Sequence, residues 1–212
     1  KTIKFLNTVP PEKKVTFLVD TAYIDFAGDE DEYRNFLPYL EKVPANVLPV
    51  LAFSMSKTFT LYGLRCGVMI CFAKSEKIAD EFVAVCEYSS RGNWSNSPRV
   101  GQSIIANIFA DEELLAKVTA ERKEIRDMLL TRAKAFEEEA EKVGLNILPF
   151  DGGFFISIPC NDPKSTSEEL EKEGIFLVPL ALGLRVSIAS ISEEKCRKIP
   201  ARIIAALEKT EG

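Results

Sequence analysis

Lys57 stands where an apolar run passes into a turn, in Phe53-Ser54-Met55-Ser56-Lys57-Thr58-Phe59. Open α/β folds place ligands beyond the carboxyl ends of parallel strands, so an amine projecting there is aimed at a binding crevice. Held among apolar side chains and positive neighbours, a lysine is a nucleophile for carbonyl carbon; taken alone it reads as a solvated surface residue. Ser54 precedes it by three positions and Arg65 follows by eight. A hydroxyl and a guanidinium converging at a strand end make a phosphate site, because both donate to phosphate oxygens and arginine can do so bidentately. Asp20 closes an earlier apolar run, and Tyr23 lies three residues on. A buried carboxylate there could pair with a protonated heterocyclic nitrogen, and a nearby phenol could donate to a ring hydroxyl. The plainer alternatives are a turn cap for Asp20 and a core position for Tyr23.

Composition narrows the chemistry. The chain has 212 residues, 46% hydrophobic and 28% charged, enough for one large domain or two small ones. It contains no histidine, which excludes Ser/His and Cys/His pairs, His-bearing zinc sites and a histidine base. Proton transfer falls to lysine, tyrosine or a carboxylate. A net charge of −5 with scattered Lys and Arg offers no grip on nucleic acid or anionic membrane. Five cysteines without a Cys-x-x-Cys pair fit reduced, buried thiols and a cytoplasmic location. No apolar run approaches the roughly 20 residues that span a bilayer.

The elements that must position these residues begin with three apolar runs, Val15–Asp20, Val47–Phe53 and Cys66–Phe72, read as buried parallel strands. Between the first two, Asp29–Lys42 carries Phe36, Leu37 and Leu40 at surface-helix spacing. Ser75 is a helix cap with helix to about Ser89, and Arg91–Pro98 reads as a loop. A helix to Phe109, a break at Asp111 and a long helix ending at Gly144 follow. In the tail, Leu145–Phe150, Gly153–Pro159, Ile175–Pro179 and Leu184–Ala189 read as strands, with helices over Ser165–Glu173 and from Ser192 to Lys209.

Asp20-x-x-Tyr23, then Ser54-x-Ser-Lys57, then Arg65-x-Gly67, in that order, resembles the fold type I pyridoxal-phosphate enzymes, specifically the class I aminotransferases of the aspartate and aromatic branch. The resemblance implies an α/β chain: the C-terminal part of the large cofactor domain, a mostly parallel sheet with helices, over residues 1–112, and an α+β small domain with its connecting helix over 113–212. It further implies that Lys57 forms the Schiff base with pyridoxal 5′-phosphate, Asp20 faces the pyridinium nitrogen, and Tyr23 donates to the phenolic oxygen. Ser54 and Arg65 then hold the phosphate. Gly183-Leu184-Arg185-Val186-Ser187-Ile188 is similar to the strand whose arginine clamps the substrate α-carboxylate. The Arg91–Pro98 stretch resembles the loop that offers an arginine, here Arg91, to a second carboxylate across a dimer interface; the family usually has tyrosine at the position of Trp94 and proline at that of Ser97.

In that family the implied activity is transfer of an amino group from an amino acid to a 2-oxo acid, in a cytoplasmic homodimer. Its enzymes are about twice as long and carry an Asn-Pro-x-Gly turn and a Gly/Ser/Thr phosphate turn that this sequence lacks. The chain therefore reads as the C-terminal half of such an enzyme, inactive by itself. The alternatives are a noncatalytic folded fragment that self-associates and a β-elimination lyase on the same scaffold.

Overall fold

A computed structural model describes residues 1–28 and 33–211. The chain divides into two compact units, Lys1–Asp25 with Asp29–Ala120, and Phe26–Gly28 with Glu121–Gly212.

In the first unit a short helix α1 (Thr2–Leu6) precedes strand β1 (Val15–Asp20) and strand β2 (Val47–Ser54). The two strands run parallel and in step, Val15 opposite Val47 and Asp20 opposite Ala52, so their carboxyl ends emerge together. Asn46 fixes the entry to this pair, its side-chain amide donating to Pro10 O (3.0 Å) and Lys13 O (2.8 Å). β1 alternates half-buried and exposed residues, so it is covered on one face and not on both as its composition suggests. Leu6, Val43 and Val47 form a small apolar cluster beneath it.

Strand β3 (Gly67–Cys71) differs from the expectation of a buried parallel strand. It runs antiparallel to β2, Ser54 opposite Gly67, and Val68, Met69 and Ile70 are 42%, 53% and 45% exposed. The reason lies in the connection, a one-turn helix α2 (Met55–Thr58) and a 3-10 turn over Tyr62–Leu64. These reverse the chain at the sheet end, whereas a parallel return needs a crossover that travels back along the sheet. Of the expected surface helix, residues 29–32 lie outside the described residues, residues 33–36 are turn, and Leu37–Lys42 form a 3-10 helix with Leu40 buried.

Helix α3 (Glu76–Asn93) starts on the Ser75 hydroxyl, which accepts from Ile78 N. It continues past Ser89, so Arg91, Gly92 and Asn93 are helical and the expected loop shrinks to Trp94–Pro98. Asn93 holds this last turn by donating to Ser89 O at 2.8 Å. Helix α4 (Arg99–Ala110) lies so close to the β3 approach that a Cβ on Gly101 would stand 2.2 Å from Cys66 Sγ. Asp111 breaks the chain and caps Leu114 N (3.0 Å), opening the 32-residue helix α5 (Glu112–Val143). It ends at Gly144, whose φ of 72° is the left-handed conformation that closes helices on glycine.

The second unit packs the later part of α5, helix α6 (Pro163–Glu171) and helix α7 (Glu193–Glu211) with strands β4 (Phe155–Pro159), β5 (Val178–Leu180) and β6 (Gly183–Ser187). The sheet order is β4-β6-β5, antiparallel throughout. Alternate residues Ile156 and Ile158, and Leu184, Val186 and Ile188, fall in one core with Phe136, Leu170, Cys196 and Ile203. Each such side chain contributes about 1.5–3 kcal/mol on burial. Leu145–Phe150, expected as a strand, makes no ladder; Leu145 N donates to Ala140 O at 2.8 Å, closing the helix before it, and Leu148 N to Ser157 O at 2.9 Å. Pro149 has no N–H to extend the pairing.

Candidate active site

The matched ends of β1 and β2 bring the candidate residues of the first unit to one edge of the sheet. Ser54, last in β2, caps α2 by accepting from Ser56 N at 3.3 Å, which leaves its own proton to donate elsewhere. α2 then turns the chain within four residues and carries half-buried Lys57. The ammonium of Lys57 lies 5.2 Å from the centre of the Tyr23 ring and 5.5 Å from that of Tyr62, within cation–π range of both faces. Desolvation pushes the Tyr62 phenol above its ordinary pKa, so its ring stays neutral beside the cation.

Asp20 is exposed, contrary to the expected buried carboxylate. Residues 16, 18 and 20 share the outward face of β1 by the two-residue period, and Asp20 Oδ1 accepts from Ala22 N (2.9 Å) as a turn cap does. Arg65 is exposed, its guanidinium donating to Tyr62 O at 2.8 Å. Thr60 and Arg65 both adopt left-handed backbone, φ 53° and 51°. Two non-glycine residues in that region within one short stretch cost on the order of 1–3 kcal/mol each, strain that concentrates at functional sites.

One residue the sequence reading passed over lies beside this group. Asp25 is 4% exposed, and its Oδ2 accepts from Thr58 Oγ1 at 2.7 Å. Its Oδ1 accepts from Arg34 Nη2 at 2.7 Å and from Tyr33 OH at 3.3 Å. The available signal was a carboxylate within Tyr23-Ile24-Asp25-Phe26-Ala27, a run otherwise apolar or aromatic. Tyr62, three residues before Arg65, was likewise missed.

Arg185 belongs to the second unit, in the middle strand β6, opposite Ser157 on β4 and Val178 on β5. Its guanidinium carbon lies 4.4 Å from the centre of the Phe155 ring. Its Nε is buried without a hydrogen-bond partner among the described residues, an orphaned donor of the kind a bound carboxylate would satisfy. Arg91 is exposed on the last turn of α3 in the first unit, donating to Ser95 Oγ at 2.6 Å. Thus Asp20, Tyr23, Ser54, Lys57 and Arg65 cluster around one sheet end, whereas Arg91 and Arg185 lie on other elements.

The comparisons give this arrangement its class. The fold is that of the fold type I aminotransferases, and the aminotransferase class I and II family model matches residues 1–203. The chain belongs to that family. A solved aminotransferase from Anaerococcus prevotii superposes with a TM-score of 0.92 at 38% identity, over 97% of this chain and 51% of that one. The aromatic-amino-acid aminotransferase of Escherichia coli is 31% identical over 128 residues, 59% of this chain and 30% of its own. An aromatic-amino-acid aminotransferase from Burkholderia pseudomallei, covalently bound to pyridoxal phosphate, shares the fold at a TM-score of 0.71 and 24% identity, over 91% of this chain and 48% of that one. The chain thus spans about half the length of these solved structures and matches about a third of the curated relative.

Proposed function

We propose that this chain contributes the covalent lysine and a substrate arginine to a pyridoxal-phosphate aminotransferase of the aspartate or aromatic type, which moves an amino group from an amino acid to a 2-oxo acid. The observation that carries the reading is Lys57 on a one-turn helix at the joint carboxyl end of β1 and β2, its ammonium over the Tyr23 ring.

The donor set fits such a cofactor: an exposed carboxylate at Asp20 for a ring nitrogen, a phenol at Tyr23 for a ring oxygen, and a hydroxyl and a guanidinium at Ser54 and Arg65 for a phosphate. When bound, the cofactor supplies an aldehyde for covalent attachment and a ring that takes up the electron pair left on the substrate α-carbon. Lys57 Nζ would be the amine that holds the cofactor through that aldehyde. Freed by the substrate amine, Lys57 Nζ would be the base that moves the proton from the substrate α-carbon. Asp20 would face the ring nitrogen and favour its protonated form. Arg185 would take the substrate α-carboxylate on its fork, its guanidinium lying over the Phe155 ring. Arg91 reads a second carboxylate in a homodimer.

The division near residues 120 and 121 supports residues 1–112 as the later part of a large cofactor domain and 113–212 as the small domain. Free cysteines at 66, 71, 86, 160 and 196 support a cytoplasmic setting; no helix among the described residues is long and apolar enough to cross a membrane.

Absorbance tests the proposal. The whole protein with pyridoxal phosphate is expected to develop a visible band that borohydride fixes onto Lys57 and that Lys57→Ala abolishes; a band surviving that substitution overturns it. Arg185→Ala is expected to raise KM for the amino acid more than it lowers kcat. A second reading, a noncatalytic chain that self-associates, draws support from the exposed row Val68, Met69 and Ile70. Clear transamination by the 212-residue chain alone removes it.

A further inference from the structure

α2 has four residues, too few to hold a helical turn unaided, because the first turn is the costly one to form. Its direction, and so the aim of Lys57, is set by what grips its two ends. The leading end is gripped by the Ser54 cap, already described. The trailing end is gripped by the hydroxyl of Thr58, next to Lys57, which donates to Asp25.

Asp25 is suited to be a fixed post. A carboxylate is seldom this deeply buried unless its charge is met and its oxygens are occupied. Arg34 meets the charge, and Thr58, Arg34 and Tyr33 together occupy both oxygens. The segment bearing Asp25 is itself pinned to β2: Thr21 donates to Ala52 O from its backbone N–H (2.9 Å) and from its hydroxyl (3.0 Å). The bonds close a ring, from Ala52 to Thr21, along the chain to Asp25, across to Thr58, and back through α2 and Ser54 to β2. Tyr23, inside that ring, supplies the aromatic face on which the Lys57 ammonium rests. One short segment therefore holds Lys57 twice, at its tip through Tyr23 and at its backbone through Asp25.

We propose that Asp25 is a positioning residue for Lys57, acting through the Thr58 hydroxyl and backed by Arg34; this rests on the reading of Lys57 as the cofactor-bearing amine. Asp25 touches no reacting atom. It fixes the turn from which the amine departs and to which it returns, where a displacement of about 1 Å is enough to cost on the order of a hundredfold in rate.

The test compares Thr58→Val, which keeps the shape and deletes the hydroxyl, with Thr58→Ser, which keeps the hydroxyl. In cofactor-free protein, brief acetylation followed by peptide mass spectrometry gives the labelling of Lys57 relative to Lys164, whose side chain is 83% exposed. Thr58→Val is expected to label Lys57 about threefold faster, as the amine leaves the aromatic faces, and Thr58→Ser to match the native ratio. With pyridoxal phosphate added, Thr58→Val is expected to form the borohydride-fixed adduct at Lys57 about tenfold more slowly, and Thr58→Ser at close to the native rate. Thr58→Ala repeats the comparison should Thr58→Val not fold. Native labelling and trapping in Thr58→Val, or losses in Thr58→Ser as large as in Thr58→Val, overturn the proposal. Failure of the native protein to trap cofactor at Lys57 overturns the cofactor reading instead, and the labelling ratios still decide whether Asp25 holds the turn.

Discussion

The two units keep their shape by different means. The second has a continuous apolar core to which α5, α6, α7 and alternate residues of β4 and β6 all contribute. In the first, α3 runs for 18 residues without one that is buried, β3 lays three large apolar side chains open, and the apolar cluster under β1 is small. Beside buried residues such as Leu40, Val50, Leu51 and Ile105, the first unit carries a set of polar ties: Asn46 to the turn before β1, Thr21 to β2, Asp25 to α2. The difference teaches that the candidate lysine is aimed by hydrogen bonds, which are directional, and that Arg185 is seated in a packed sheet.

The largest expected effect probes the packed side. Phe136→Ala is expected to destabilise the second unit by about 3–5 kcal/mol, since a fully buried ring leaves a cavity that closes only in part; urea unfolding followed by hydrogen exchange in α5 and α7 measures it. Next comes the tied side. Asn46→Ala removes two hydrogen bonds and is expected to cost about 1–2 kcal/mol, with faster exchange of the β1 amides and none in β4 or β6. Spread of the loss into the second unit would break the comparison.

A smaller effect depends on pH. Glu169 accepts from Lys172 and from Lys209, the latter at 2.9 Å, which lowers its carboxyl from 4.5 to about 2. A carboxyl depressed on folding stabilises above its unfolded pKa and loses that contribution as pH falls through the folded one. The Tm advantage of the native protein over Glu169→Gln is therefore expected to be full above about pH 5, to fade between pH 4.5 and 2, and to shrink with added salt. The smallest effect belongs to the open face of β3, where Val68→Ala is expected to change stability by no more than about 0.5 kcal/mol.

Legibility in the sequence follows the same division. Features written in local chemistry were readable: the extents of β1 and β2 in their β-branched runs, the start of α3 at Ser75, the break at Asp111 and the stop at Gly144. Lys57, Ser54 and Arg65 stand out as candidates because their order and spacing are a pattern in one dimension. The orientation of β3 was not, because apolar content is the same for either direction and the link decides it. Nor was the exposure of Asp20, which depends on which face of β1 is covered. Asp25 escaped because its role is defined by partners 9 and 33 positions away, a relation that no local pattern records.

Gly101 adds a consequence of another kind. With a Cβ there only 2.2 Å from Cys66 Sγ, the two positions share a single allotment of space next to Arg65. They are expected to drift as a pair among relatives: a chain that gains a methyl at 101 should carry glycine or alanine at 66, and the bulky combination should be missing. Restoring Gly101→Ala with Cys66→Ala would reproduce that exchange in one molecule, and it would mark how far inheritance beside Arg65 is governed by a residue of helix α4.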